Sequence, residues 1–229
     1  MPTKIEWTNR PGTTGETWNV VTGCHKVSPG CKNCYAERIT ERWGQKFTDI
    51  NIHEDRLEKP LRWRKPRTVF VNSMSDIFPE GIPYETVIKM FEVMKQTPRH
   101  TYIALTKRPE RYLDFSDPGS RESHLDFTPN IWMGVSVESR EYLWRVDALR
   151  DIPAKIRFIS FEPLLGRISY TNLANIDWVI LGGESGPEAR LIPLSGFWQI
   201  KMMCEEQGIP LFVKQLGSVW AKGCSKDSK

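Results

Sequence analysis

The feature that most constrains this chain is a repeated alternation of short apolar runs with amphipathic stretches. Seven runs read as strands: 17–22, 68–73, 101–106, 131–137, 156–161, 178–182 and 211–214. Most are rich in Val, Ile, Phe or Trp, and several are apolar on both faces. Strands buried on both sides of a parallel sheet have that pattern. Helical stripes lie between them. Val87, Met90, Phe91 and Met94 form one; Tyr142, Val146 and Leu149 form a second. Phe197, Ile200, Met203 and Cys204 form a third, which makes Cys204 a core thiol, and Gly208-Ile209-Pro210 is the expected stop. Cys34 is expected to open a helix whose buried face carries Ile39 and Trp43.

Strand and helix alternating along the chain imply right-handed parallel crossovers. The class is therefore α/β. The expected architecture is a partial (β/α) barrel of six to seven mostly parallel strands, with a doubly wound open sheet as the alternative. A barrel collects its working residues at the C-terminal ends of many strands; an open sheet collects them at one crevice. Polar residues follow nearly every strand here, which favours the barrel. Residues 1–229 read as a single domain, with 116–130 a surface loop and 221–229 a flexible tail.

Composition supports a packed core, with 39% hydrophobic and 26% charged residues. No apolar run reaches the ~18 residues of a membrane span, and the polar N-terminus lacks the apolar stretch of a signal peptide. A cytoplasmic protein with no membrane partner is expected. The net charge of +4 is too small to establish a nucleic-acid partner by itself.

The five cysteines are an odd number, which argues against a disulfide framework and for a metal or redox site. Cys24, Cys31 and Cys34 fall in one loop that runs into the first helix, and Pro29-Gly30 supplies the turn between them. Three thiolates from one loop can ligate three irons of a cubane cluster. The fourth iron then stays open to a small molecule. The competing reading is a structural zinc site completed by His25 or His53. His25 adjoins Cys24 and is poorly placed to share its metal, and there is no second Cys-x2-Cys pair.

The same cysteines resemble those of the radical S-adenosylmethionine superfamily. The chain is most similar to a phage- and bacterium-borne branch with three cysteines. The stretches that carry the resemblance are Thr17 to Cys24, Cys34-Tyr-Ala-Glu, Phe70 to Asp76, Leu105 to Pro109, Gly134 to Glu138, Ser160 to Gly166, and Gly182 to Gly186. Two departures stand out. The first cysteine gap is six residues rather than the usual three, and Asn33 replaces the usual aromatic before the third cysteine.

The resemblance implies a 4Fe-4S cluster on Cys24, Cys31 and Cys34, with S-adenosylmethionine (SAM) chelating its open iron. Ser73, Ser75 and Asp76 are then expected at the amine, and Lys107 or Arg108 at the carboxylate, with Lys107 the main candidate. Ser136 and Glu138 are expected at the ribose, and Gly182 and Gly183 beside the adenine. The implied reaction is reductive cleavage of SAM followed by hydrogen abstraction from a substrate. It requires an electron donor of flavodoxin or ferredoxin type. A nucleotide or modified DNA base is the expected substrate. The basic segment 56–67, kept extended by Pro60 and Pro66, is expected to hold phosphates, with Trp63 as a stacking face. Its place before a strand argues against this, because that end of a barrel lies away from the site. The competing functions are a zinc-stabilised nucleic-acid-binding protein and a simple electron carrier.

Overall fold

A computed structural model describes residue 3, residues 5–115 and residues 124–224, with side chains as far as 221. In chain order the elements are β1 (Thr14–Trp18), β2 (Val21–Thr22), α1 (Tyr35–Arg42), β3 (Asn51–Ile52), α2 (Glu54–Leu57), β4 (Arg67–Val71), α3 (Tyr84–Gln96), β5 (Thr101–Thr106), β6 (Ile131–Ser136), α4 (Trp144–Asp151), β7 (Ile156–Phe161), β8 (Trp178–Gly182), α5 (Leu194–Glu206), β9 (Leu211–Gln215) and α6 (Ser218–Cys224). Seven strands form one sheet in the order β1-β4-β5-β6-β7-β8-β9, and every neighbouring pair is parallel. The sheet curls into a half-barrel, a partial (β/α) barrel.

Alternation along the strands sorts the core into two layers. Tyr102, Ala104, Ile131, Met133, Val135, Ile159 and Val179 face the helices, where Val87, Phe91, Met94, Val146, Leu149, Ile200 and Cys204 meet them. The residues between them point into the barrel. There Ile103, Phe158 and Ile180 pack with Trp7, flanked by Phe70, Leu105, Trp132 and Phe212. Trp7 sits on a 3₁₀ turn, Glu6–Thr8, which touches β1, β4 and β9. It therefore plugs the interior between the two edge strands. Gly134 leaves room for this layer: a Cβ there would stand 2.3 Å from the Phe158 ring.

Three expectations change. The first sheet strand is Thr14–Trp18, not 17–22, and the apolar run continues into β2, which pairs antiparallel with β3. Val20 and Val21 are buried but belong to the connection that leaves the sheet, so apolar content alone extended the strand too far. Trp43 is 65% exposed. The buried side of α1 is carried by Ala36 and Thr40, with Ile39 packed nearby. Segment 56–67 is not extended in its first half, where the end of α2 and a 3₁₀ turn, Lys59–Arg62, occupy it; from Trp63 the chain extends towards β4, and Pro60 sits in the first turn where a missing N–H costs nothing.

Gly208 stops α5 as expected, at φ +68°, with Ile209 N donating to Cys204 O at 2.9 Å, a left-handed glycine cap. Of the expected loop, 116–123 lie outside the described residues. Of the expected tail, 221–224 continue α6 and 225–229 lie outside the described residues. Among the described residues no helix is long and apolar enough to cross a membrane.

Candidate active site

The site begins where β1 ends. Asn19 Oδ1 accepts from Met74 N and Ser73 Oγ, both at 3.1 Å, and so ties the exit of β1 to the exit of β4. Ser75 Oγ donates to Gly23 O at 2.6 Å, and Cys24 N donates to Phe47 O at 2.9 Å. The chain thus arrives at Cys24 already fixed against the loop after β4. A 3₁₀ turn, Pro29–Cys31, then returns it, and Cys34 caps α1.

The three thiols are half-buried and line one cavity of about 130 Å³. Phe70, Ser73, Ser75, Asp76, Leu105, Lys107, Arg108 and Ser136 share it, from the C-terminal ends of β4, β5 and β6. Its dry side is formed by Ala36, Phe47 and Met74, packed with Cys24 and Cys34. No group of three or more His, Cys, Asp or Glu side chains among the described residues is placed to hold one metal ion. The three thiols line one space. That arrangement suits a group with several metal atoms, each taking one thiolate. His53 is engaged elsewhere, with Nε2 2.8 Å from Thr22 Oγ1.

The two cations after β5 differ sharply. Arg108 has a side chain only 3% exposed; it reaches His25 O at 2.7 Å, Cys24 Sγ at 3.6 Å and Asp76 Oδ2 at 3.5 Å. Lys107 is half-buried on the cavity wall, and its ammonium has no hydrogen-bond or ion-pair partner among the described residues. Asp76 is heavily engaged: Oδ1 accepts from Thr106 Oγ1 at 2.6 Å and Phe78 N at 3.0 Å, and Oδ2 from Lys107 N at 2.9 Å. Burial pushes the Cys24 thiol up to about 11; Asp76 adds to this, and Arg108 pulls the other way.

Ser136 is buried on the cavity wall. Glu138 is fully buried and lies outside it. Its Oε2 meets Arg145 Nη1 at 3.0 Å, while Oε1 has no hydrogen-bond partner. The cysteine loop lies directly on this carboxyl, since a Cβ at Gly30 would stand 3.1 Å from its carbon. Gly182 and Gly183 do not line the cavity. Gly182 gives room to the Glu162 carboxyl, which accepts from Lys214 Nζ at 2.7 Å. Gly183 lacks a side chain because Leu216 O would stand 2.4 Å from a Cβ.

Sequence reasoning missed the clamp on the cysteine loop. Glu184 Oε2 accepts from Asn33 Nδ2, Arg190 Nε (both 2.9 Å) and Arg190 N (2.8 Å), and Arg190 Nη2 donates to Pro29 O at 2.9 Å. Burial pushes the Glu184 carboxyl up, but the hydrogen bonds from Arg190 and Asn33 prevail and hold it below the usual carboxylate range. Arg38 Nη2 donates to Ser185 O at 2.9 Å, docking α1 on the same loop. Glu184 and Ser185 stand in the Gly-Gly-Glu-Ser-Gly run, so a signal was present; nothing in the sequence marked Arg190 as their partner.

The basic segment 56–67 leads into the opposite end of β4, and none of its residues lines the cavity. The Trp63 ring carries the Arg67 guanidinium at 4.9 Å and the His100 ring edge at 5.5 Å. Arg67 thus takes one face of the ring expected to stack.

No curated protein matches the chain. Several solved structures share its fold. Spore photoproduct lyase complexed with dinucleoside spore photoproduct superposes with a TM-score of 0.57 at 13% identity, over 90% of this chain and 78% of that one. Two single-residue variants of that lyase give TM-scores of 0.58 at 12% identity, over 90% and 78% of the two chains in one case and 86% and 75% in the other. At this identity the likeness establishes the fold. The family model described as "Protein of unknown function (DUF5131)" matches residues 2–229, and the chain belongs to that family.

Proposed function

We propose that this protein is a radical S-adenosylmethionine enzyme acting on a nucleotide or a modified or damaged nucleic-acid base. The observation that carries the reading is the meeting of Cys24, Cys31 and Cys34 on one cavity at the C-terminal mouth of a parallel half-barrel. The donor set fits a 4Fe-4S cluster: three soft thiolates around a space, an apolar wall behind them, and a buried guanidinium at one sulfur. Cys24, Cys31 and Cys34 would hold the cluster, which would supply the one-electron reduction that cleaves SAM.

The chain's own residues orient the cofactor. Ser73 and Ser75 spend their hydroxyl protons on Asn19 and Gly23, which leaves lone pairs to accept from the methionine amine. Lys107 brings an uncommitted ammonium to the carboxylate. Ser136 offers its hydroxyl to the ribose. Asp76 serves by holding Thr106, Lys107 and Arg108 in place. Glu138 supports the cysteine loop from below, and Gly182 and Gly183 shape the strand ends beside the adenine. Phe70 and Leu105 floor the cavity above the Trp7 plug and keep water from the reacting carbon. A flavodoxin- or ferredoxin-like protein supplies electrons.

The nucleic-acid class of substrate is supported by the fold shared with a lyase solved with a dinucleoside photoproduct. The test is anaerobic turnover of the iron-loaded protein with SAM, dithionite and deuterated nucleotide or oligonucleotide substrates. Deuterium recovered in 5′-deoxyadenosine is the expected result. SAM that survives intact would overturn the catalytic reading.

A further inference from the structure

Arg108 and Asp76 form a buried charge pair beside one sulfur of the cavity. Both side chains are under 8% exposed, and their nearest atoms are 3.5 Å apart. Arg108 uses Nη2 to grip His25 O at 2.7 Å and directs Nη1 at Cys24 Sγ, 3.6 Å away. Arg108 N donates to Thr106 Oγ1 at 2.8 Å, and Thr106 Oγ1 donates in turn to Asp76 Oδ1. The guanidinium is therefore held by the cysteine loop and the loop after β4, and the Arg108 backbone is tied to Thr106 at the end of β5. The only other carboxylate near it in the described structure, Glu80 at 3.6 Å, is 57% exposed and screened by solvent.

The pair follows the ordinary rules for a group that tunes a metal centre. A cationic donor at a ligand sulfur stabilises the more negative, reduced state, and hydrogen bonds to cluster sulfurs are a recognised control on reduction potential. A carboxylate beside that donor does the opposite. Low exposure makes both effects larger than they would be in water. We infer that Arg108 raises and Asp76 lowers the reduction potential of a cluster bound at Cys24, so that this pair sets the potential at which the site accepts its electron. Both are positioning residues that act through Cys24. The inference rests on the cluster reading above.

The experiment is a dye-mediated redox titration of the anaerobically iron-loaded full chain, followed by visible absorbance and electron paramagnetic resonance. Iron content is measured in parallel for wild type, Arg108→Gln, Arg108→Lys and Asp76→Asn. The expected result is a midpoint more negative than wild type in Arg108→Gln, a smaller shift of the same sign in Arg108→Lys, and a more positive midpoint in Asp76→Asn. Opposite signs are the signature, because simple loosening of the loop would move both substitutions the same way. If Arg108→Gln fails to hold iron, Asp76→Asn and Arg108→Lys decide. Midpoints unchanged from wild type, or moved in one common direction, overturn the inference and leave the cluster reading standing. A wild type that takes up no iron overturns both.

Discussion

Lys107 and Arg108 stand side by side after β5, yet only one of them is free to bind anything new. Arg108 is buried against Asp76, His25 O and Cys24; Lys107 reaches the cavity wall with its charge unspent. Lys107→Met should weaken SAM binding by about 1.5–3 kcal/mol, the usual worth of a charge-assisted hydrogen bond, or roughly ten- to a hundred-fold in Kd. Equilibrium binding to the iron-loaded protein measures it, and an unchanged Kd would remove Lys107 from the site. Glu138 makes a different prediction. Glu138→Ala leaves Arg145, 1% exposed, without its ion-pair partner. That should cost about 3–5 kcal/mol of folding stability, read by urea unfolding of the metal-free chain. The sequence marked both cations and the three strand ends that carry Glu138, Glu162 and Glu184. Telling a binding group from a buried brace needed the burial of each and the partners drawn from other strands, which spacing along the chain does not carry.

At the scale of elements, the cysteine loop and the β8–α5 connection behave as one unit because Glu184 receives Arg190 and Asn33 across them. Its folded carboxyl is depressed below the ordinary value of 4.5, so the unfolded chain binds its proton at higher pH than the folded chain. The associated stability is present above about that ordinary value and is lost as pH falls through the lower folded one. Glu184→Gln should flatten this part of the acid limb of an unfolding curve. A wild-type and variant pair with parallel acid limbs would contradict it. The strands and long helices were legible because periodicity and burial agree along them. The cysteine loop was legible as a cluster of residues but not as a shape, since its geometry comes from Asn19, Phe47 and Arg190, which are distant in sequence or lie in unpatterned stretches. Trp43 misled for a related reason: α1 buries only a short face against Phe47 and Met74, and the helix ends before a second apolar turn can reach it.

At the scale of the whole molecule, the half-barrel is closed on the inside by a tryptophan from outside the sheet. Trp7 touches Phe70 edge-on at 4.7 Å between ring centroids and fills the layer beneath the cavity. Trp7→Ala should lower stability by about 3–5 kcal/mol through the lost apolar contact and the void left behind, visible as a fall in Tm. The alternating strand pattern foretold the parallel half-barrel, but not this plug, because the 3₁₀ turn that carries it has no periodicity to read. The architecture puts the ends of β4, β5 and β6 and the loop after β1 around one space, and three cysteines meet there. The most direct measurement is iron content with Mössbauer spectroscopy after anaerobic loading of wild type, each single Cys→Ala variant at 24, 31 and 34, and Cys204→Ala. About four irons per chain are expected, as a cubane with one distinct site, lost in the first three variants and kept in Cys204→Ala. One tightly held zinc in place of iron, or equal loss of iron in Cys204→Ala, would contradict it.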